Sequence, residues 1–283
     1  MPQVTLEETI RRIRYEGWCL VDEVIPPDQV ASVRDSVLAT AAARPQCYEG
    51  ERGCLRGIIA YDQSFAPYVA DQRLVGAAQA ILGGGIRISL TTGIILAPGF
   101  GTDDSDSGGD SSRGWHSDWP FSLGQTSALL APYGDLPIHL TTLWMLSDFS
   151  SDNGSTYVVP GSHRAGNNPG GDIGYDGTKP VDSEIQATGK AGSVLAFDSR
   201  VWHSAGQNRS SEPRVTLAVR YAPWWFNLTG LLPGLADYEV EAEERGERTD
   251  DVLPLSDEAF ASLPASAQPL FEHIRAGREV LPG

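Results

Sequence analysis

The chain is short of cysteine, of positive charge and of any long apolar run, and each shortage removes a class of function. Its 283 residues include three cysteines, Cys19, Cys47 and Cys54, too few and too oddly placed for a disulfide framework or a metal cluster. Such a set suits a reducing compartment. No apolar stretch approaches the roughly 18 residues that a membrane-spanning helix needs. The first residues, MPQVTLEETIRRIRYEG, carry charge throughout and have no apolar signal core. The expected location is cytoplasmic, with no membrane partner. Lysine and arginine number 21 against 37 acidic residues, a formal net charge of −16. A surface this acidic repels phosphate backbones and argues against nucleic acid as a partner.

What is abundant is turn-forming: 31 glycines and 19 prolines favour many turns over long helices. Thr5 with Glu8 and Gly17 bracket a first helix over 5–17. A short buried strand, WCLVDEVI (18–25), follows. Pro26–Pro27–Asp28 then starts a second helix reaching Ala43, and a third is expected over 67–82. From residue 86 the pattern changes to short β-branched or aromatic runs: IRISLTTGIILA, LPIHLTTLWML, STYVVPGS, GSVLAFDSRVWHS and RVTLAVRYAPWW. Strand succeeding strand predicts packed sheets, a sandwich or barrel. A last helix is expected within 256–277. Two polar segments, 97–114 and 165–185, read as loops able to act as lids. The acidic run Asp103–Asp104–Ser105–Asp106 lacks the order and closing glutamate of a calcium loop.

The chemistry-bearing pattern is Trp115-His116-Ser117-Asp118-Trp119. On a strand, positions i and i+2 share a face, so an imidazole and a carboxylate emerge together. A second histidine, His203 in Val201-Trp202-His203-Ser204, follows 85 residues after Asp118. Two imidazoles and one carboxylate on one side of a divalent ion form the facial triad of iron(II) oxygenases. A core histidine beside an unrelated aspartate would give the same letters, and the pattern alone leaves both readings open. Arg214 stands 11 residues beyond His203, at the start of an apolar strand. A guanidinium buried in such a strand is costly unless its charge is met. A dicarboxylate co-substrate, a protein acid or solvent would each serve.

Taken together, EGWCLVDEVIPPDQVASVRDSV, WHSDW, DNGSTYVVPGSH (152–163) and GSVLAFDSRVWHSAGQN followed by PRVTLAVRYAPWW resemble the phytanoyl-CoA dioxygenase family. The likeness spans about residues 5–226. It implies a mainly β chain with flanking helices, built on a double-stranded β-helix (a jelly-roll of cupin type). A single domain over 1–283 is expected, with a helical part to about 85, a jelly-roll core over 86–226 and an extension over 227–283. The resemblance further implies that His116, Asp118 and His203 hold Fe(II) and that Arg214 grips the distal carboxylate of 2-oxoglutarate. Asn153–Gly154 and Pro160–His163 match structural turns. Many members place a hydroxyl two positions after the distal histidine. Here that position is Ala205, so a donor from the neighbouring strand is expected instead: Thr141, Thr142 or Trp144. Related halogenases lack the carboxylate that Asp118 supplies, which favours oxidation without halide.

The expected reaction consumes dioxygen and 2-oxoglutarate and releases succinate and carbon dioxide as a C–H bond is oxidised, most simply hydroxylated. The family likeness suggests a secondary-metabolite substrate. Trp119, Phe121, His139, Trp224 and Trp225 are the candidate substrate contacts. His163 is expected to stabilise its turn, and His273 to lie on the surface. A non-redox cupin-like metalloenzyme, an isomerase or hydrolase using the same three ligands, is the alternative. A catalytically silent binding module is a further rival. Monomer and homodimer are both compatible with the sequence.

Overall fold

A computed structural model describes residues 3–45, 48–49, 53–102, 113–118, 134–167, 169, 177–226, 236 and 254–276. Helix α1 (Leu6–Glu16) starts where the Thr5 hydroxyl accepts from the Glu8 amide at 3.2 Å. It stops at Gly17, whose φ of 88° lies in the left-handed region that a glycine tolerates. Strand β1 (Trp18–Val21) follows, shorter than the apolar run that encodes it: the Val24 and Ile25 amides turn aside to share the Gly192 carbonyl. Helix α2 (Pro27–Ala42) opens on a proline, where no amide is needed. Helix α3 spans Gln72–Leu82 rather than 67–82, because the Asp71 carboxylate caps it by accepting from the Arg73 amide at 2.9 Å.

The remaining strands are β2 (Tyr48–Glu49), β3 (Cys54–Arg56), β4 (Ile86–Leu96), β5 (Leu140–Met145), β6 (Tyr157–Val158), β7 (Ile185–Gln186), β8 (Val194–Asp198), β9 (His203–Ser204) and β10 (Arg214–Pro223). A seven-stranded sheet runs β1-β8-β5-β10-β4-β3-β2, and a three-stranded one runs β7-β6-β9. Every pairing between these strands is antiparallel. The strands β2, β3 and β7 have two or three residues each, too short for a period-2 signal to register in the sequence. Beyond the sheets, the expected helix over 256–277 is two short ones, α4 (Asp257–Ser262) and α5 (Gln268–Phe271). Pro264 forces Leu263 into extended backbone (ψ 140°) and breaks the run.

Strand β10 sits near the middle of the large sheet and shows how the faces are divided. Val215, Leu217, Val219 and Tyr221 join the core packed under the helices, whereas Arg214, Ala218 and Arg220 face the space between the sheets. Leu195 and Phe197 of β8 face the same space, in a second apolar cluster with Val158 and Val201. The large core is what fixes β10. Leu217 is fully buried and pairs with Gly93 on one side and Trp144 on the other. Leu217→Ala is therefore expected to cost about 2–5 kcal/mol. A urea titration should show a lower midpoint with an unchanged slope, and an unmoved midpoint would contradict this packing.

Candidate active site

The two sequence-distant histidines meet through the backbone. The His116 amide donates to the His203 carbonyl at 3.1 Å, and the His203 amide returns the bond to His116 at 2.9 Å. Alternation along 114–118 then decides the faces. Trp115 is buried, its indole donating to the Lys179 carbonyl at 2.8 Å, while His116 and Asp118 turn to the opposite side. His116, Asp118 and His203 thereby bring one ligand atom each within 4.8 Å of one another.

The tautomers follow from the hydrogen bonds. His116 Nδ1 lies 2.9 Å from the Gly114 carbonyl, and His203 Nδ1 lies 2.9 Å from the Val201 carbonyl. A carbonyl only accepts, so both Nδ1 atoms carry the proton and both Nε2 atoms carry the lone pair a metal would take. Asp118 is oriented as firmly. Thr141 donates to its Oδ2 at 2.7 Å, and Ser199 steadies the Thr141 hydroxyl at 2.8 Å. Oδ1 stands 3.7 Å from His203 Nε2 and accepts from Arg220 Nη2 at 2.6 Å. Burial alone would raise this carboxyl; the Arg220 charge and the Thr141 hydrogen bond overcome it and hold the group well below the usual carboxylate range. Two neutral imidazoles and an ionised carboxylate, with donor atoms this close, fit a divalent ion such as Fe(II).

These ligands line one side of a cavity of about 200 Å³. Its wall is apolar along β4 and β5 (Leu90, Ile94, Leu96, Leu143), with Thr92, Thr156 and Ala205 between. Arg214 enters it from the start of β10. Its side chain is buried, lies 4.5 Å over the Phe149 ring and donates to the Gly154 carbonyl. That carbonyl is presented by the Asn153–Gly154 turn, which Asn153 ties to the Ser150 amide and the Asp148 carbonyl. Gly154 has φ +78°, and a Cβ there would meet the Gly206 carbonyl at 2.7 Å, so only glycine fits.

Residues 13–216 match the family described as phytanoyl-CoA dioxygenase (PhyH). The chain belongs to the phytanoyl-CoA dioxygenase family. It is 27% identical over 240 residues to an ectoine dioxygenase of Streptomyces coelicolor, covering 74% of this chain and 75% of that protein. Among solved structures, EctD from S. alaskensis with 2-oxoglutarate and 5-hydroxyectoine shares the fold at a TM-score of 0.59 and 20% identity. That likeness covers 80% of this chain and 79% of the other. The epimerase SnoN, in complex with Fe3+, alpha-ketoglutarate and nogalamycin RO, gives 0.56 at 20% identity, covering 82% of this chain and 91% of that one. The mainly β jelly-roll architecture expected of the family is the one observed.

Several candidates stand elsewhere than the sequence suggested. Thr142 and Trp144 do not face the site: Trp144 donates to Thr142, and Thr142 to the Val219 carbonyl, both fully buried on the opposite side of β5. The strand alternation places Thr141 on the site side in their stead. Trp224 and Trp225 are 60% and 52% exposed and line no part of the cavity, because β10 ends at Pro223 and the chain turns outward. Phe226 turns back and meets His139 edge-on at 5.1 Å. His163 is buried in its turn, with Nε2 3.3 Å from the Arg14 carbonyl, and His273 is half-buried in the turn after α5. Trp119, Phe121, residues 103–112 and residues 170–176 lie outside the described residues. Arg220 and Arg56 went unread. Arg220 was accessible to the argument used for Arg214, since six residues along a strand is the same face.

Two outcomes follow. Thr141→Val keeps the side-chain shape and deletes the bond to Asp118. Metal affinity by calorimetry should fall about 10–100-fold, and an unchanged affinity would show that Asp118 needs no such support. The second concerns His139, which burial and the Arg220 guanidinium push down to about 3, Asp118 opposing. Unfolded, this histidine takes its proton near pH 6.5. The unfolded chain therefore binds the extra proton between about 6.5 and 3, and stability falls as pH drops through that window. His139→Gln should flatten this acid arm by on the order of a few kcal/mol in urea titrations; an equally steep arm would contradict it.

Proposed function

We propose that this chain is an Fe(II)- and 2-oxoglutarate-dependent oxygenase that oxidises a C–H bond of a small organic molecule. The observation that carries the reading is the joint placement of His116, Asp118, His203 and Arg214 on one cavity. Family membership and the iron and keto-acid ligands of fold relatives support it. When bound, iron would let dioxygen act as the oxidant, its four-electron reduction drawing two electrons from the decarboxylation of 2-oxoglutarate to succinate and two from the substrate.

The chain's own residues do the rest. His116 and His203 present lone pairs fixed by their carbonyl partners, and Thr141 fixes one oxygen of Asp118. Arg214 offers a planar fork to the far carboxylate of the co-substrate, a geometry that lysine reproduces poorly. Thr92 and Thr156 supply hydroxyls in the cavity that Ala205 does not. The apolar wall keeps water out and strengthens every charge contact inside. Hydroxylation is the simplest outcome. The fold shared with an epimerase makes stereochemical inversion the second reading, and labelled dioxygen separates the two, since only hydroxylation leaves an oxygen atom in the product.

Succinate formation from 2-oxoglutarate tests the reading. The wild-type protein should produce it with Fe(II) and air, Asp118→Ala should lose it, and Arg214→Lys should raise the co-substrate KM by about tenfold or more. Equal rates for Asp118→Ala would reject the ligand assignment.

A further inference from the structure

The chain carries a net −16, yet its cavity presents a cation, Arg220, whose side chain has a single hydrogen-bond partner among the described residues, the carboxylate of Asp118. Arg214 and Arg220 share β10 six residues apart, so their Cα atoms stand roughly 20 Å from one another at about 3.3 Å per residue. The metal ligands lie toward the Arg220 end, where Thr141 pairs with Arg220 across the strands. A co-substrate reaching from the metal to Arg214 therefore leaves Arg220 to something else.

Arg220 is also poised to change partners. It donates to Asp118 Oδ1, the oxygen nearest His203 Nε2 and thus the one a metal would take, because Thr141 holds Oδ2. A dication on Oδ1 and a guanidinium on the same oxygen repel. The Arg220 side chain is 24% exposed, and its Nε is buried with no hydrogen-bond partner among the described residues. Displaced from Asp118, it would be a partly buried cation with donors to spare, which an anion satisfies best.

We propose that Arg220 binds a carboxylate of the organic substrate, so that the substrate is a small carboxylic acid oxidised within a few bonds of its acid group. The inference rests on the oxygenase reading above. Neutral His139 and Phe226, at the same end, provide a wall that does not compete for the anion.

The test uses the full chain loaded with Ni(II) and 2-oxoglutarate, which cannot turn over, and three acid–amide pairs as probes. These are L-proline with L-prolinamide, cyclohexanecarboxylate with its carboxamide, and 3-phenylpropionate with its amide. Dissociation constants by NMR titration should favour the acid by about tenfold in at least one pair. Arg220→Gln should abolish that preference, Arg220→Lys should keep part of it, and with Ni(II) at saturation each should lose far less 2-oxoglutarate affinity than Arg214→Gln. Thermal unfolding of each variant reports whether it is folded. Absence of any acid preference in the wild type, its survival in Arg220→Gln, or a 2-oxoglutarate loss in Arg220→Gln equal to that of Arg214→Gln would each overturn the proposal. Failure of the wild-type protein to bind Ni(II) and 2-oxoglutarate would instead reject the oxygenase reading itself.

Discussion

A carboxylate whose side chain is 8% exposed persists as an anion only where its charge is met, and Asp118 is met from two strands at once. Thr141 on β5 holds one oxygen and Arg220 on β10 takes the other. Remove the sheets that carry these groups and the carboxylate would be protonated or drawn into water. The two sheets thus do more than enclose a cavity. Their register sets which oxygen of Asp118 a hydroxyl holds and which one a cation reaches.

The same register separates stability from chemistry within single strands. Along β10, Val215, Leu217, Val219 and Tyr221 bury themselves under the helices, and Arg214, Ala218 and Arg220 face the cavity. Along β5, Leu140 and Trp144 join the large core while Thr141 and Leu143 line the site. A strand anchored by one face can present polar groups on the other without drifting, which is what a metal site needs from its supports. The Asn153–Gly154 turn extends the principle to the loops, offering a fixed carbonyl to Arg214 through a backbone conformation that excludes a side chain.

This division also explains what could be read from the letters. His116 and Asp118 were legible because period-2 alternation puts i and i+2 together whatever the fold, and Arg214 because a charge at the head of an apolar run demands a partner. Helix α1 was legible from Thr5 and Gly17, both of which act locally. Thr142 and Trp144 were misplaced because choosing between the two faces of β5 requires knowing which face the helices cover, a tertiary fact. Strands β2, β3 and β7, with two or three residues each, carry no local signal strong enough to announce them. Arg220 was overlooked although its spacing from Arg214 was in plain view; its meaning depends on Asp118, 102 residues earlier, lying against it.

The central claim is that His116, Asp118 and His203 hold an iron to which a keto acid binds with its far end on Arg214. Anaerobic addition of 2-oxoglutarate to Fe(II)-loaded protein, followed by visible absorption, tests it most directly. The expected result is the weak charge-transfer band of a chelated keto acid, absent in Asp118→Ala and needing far more 2-oxoglutarate in Arg214→Ala. Iron binding without any such band would contradict the claim and turn the site toward non-redox metal chemistry.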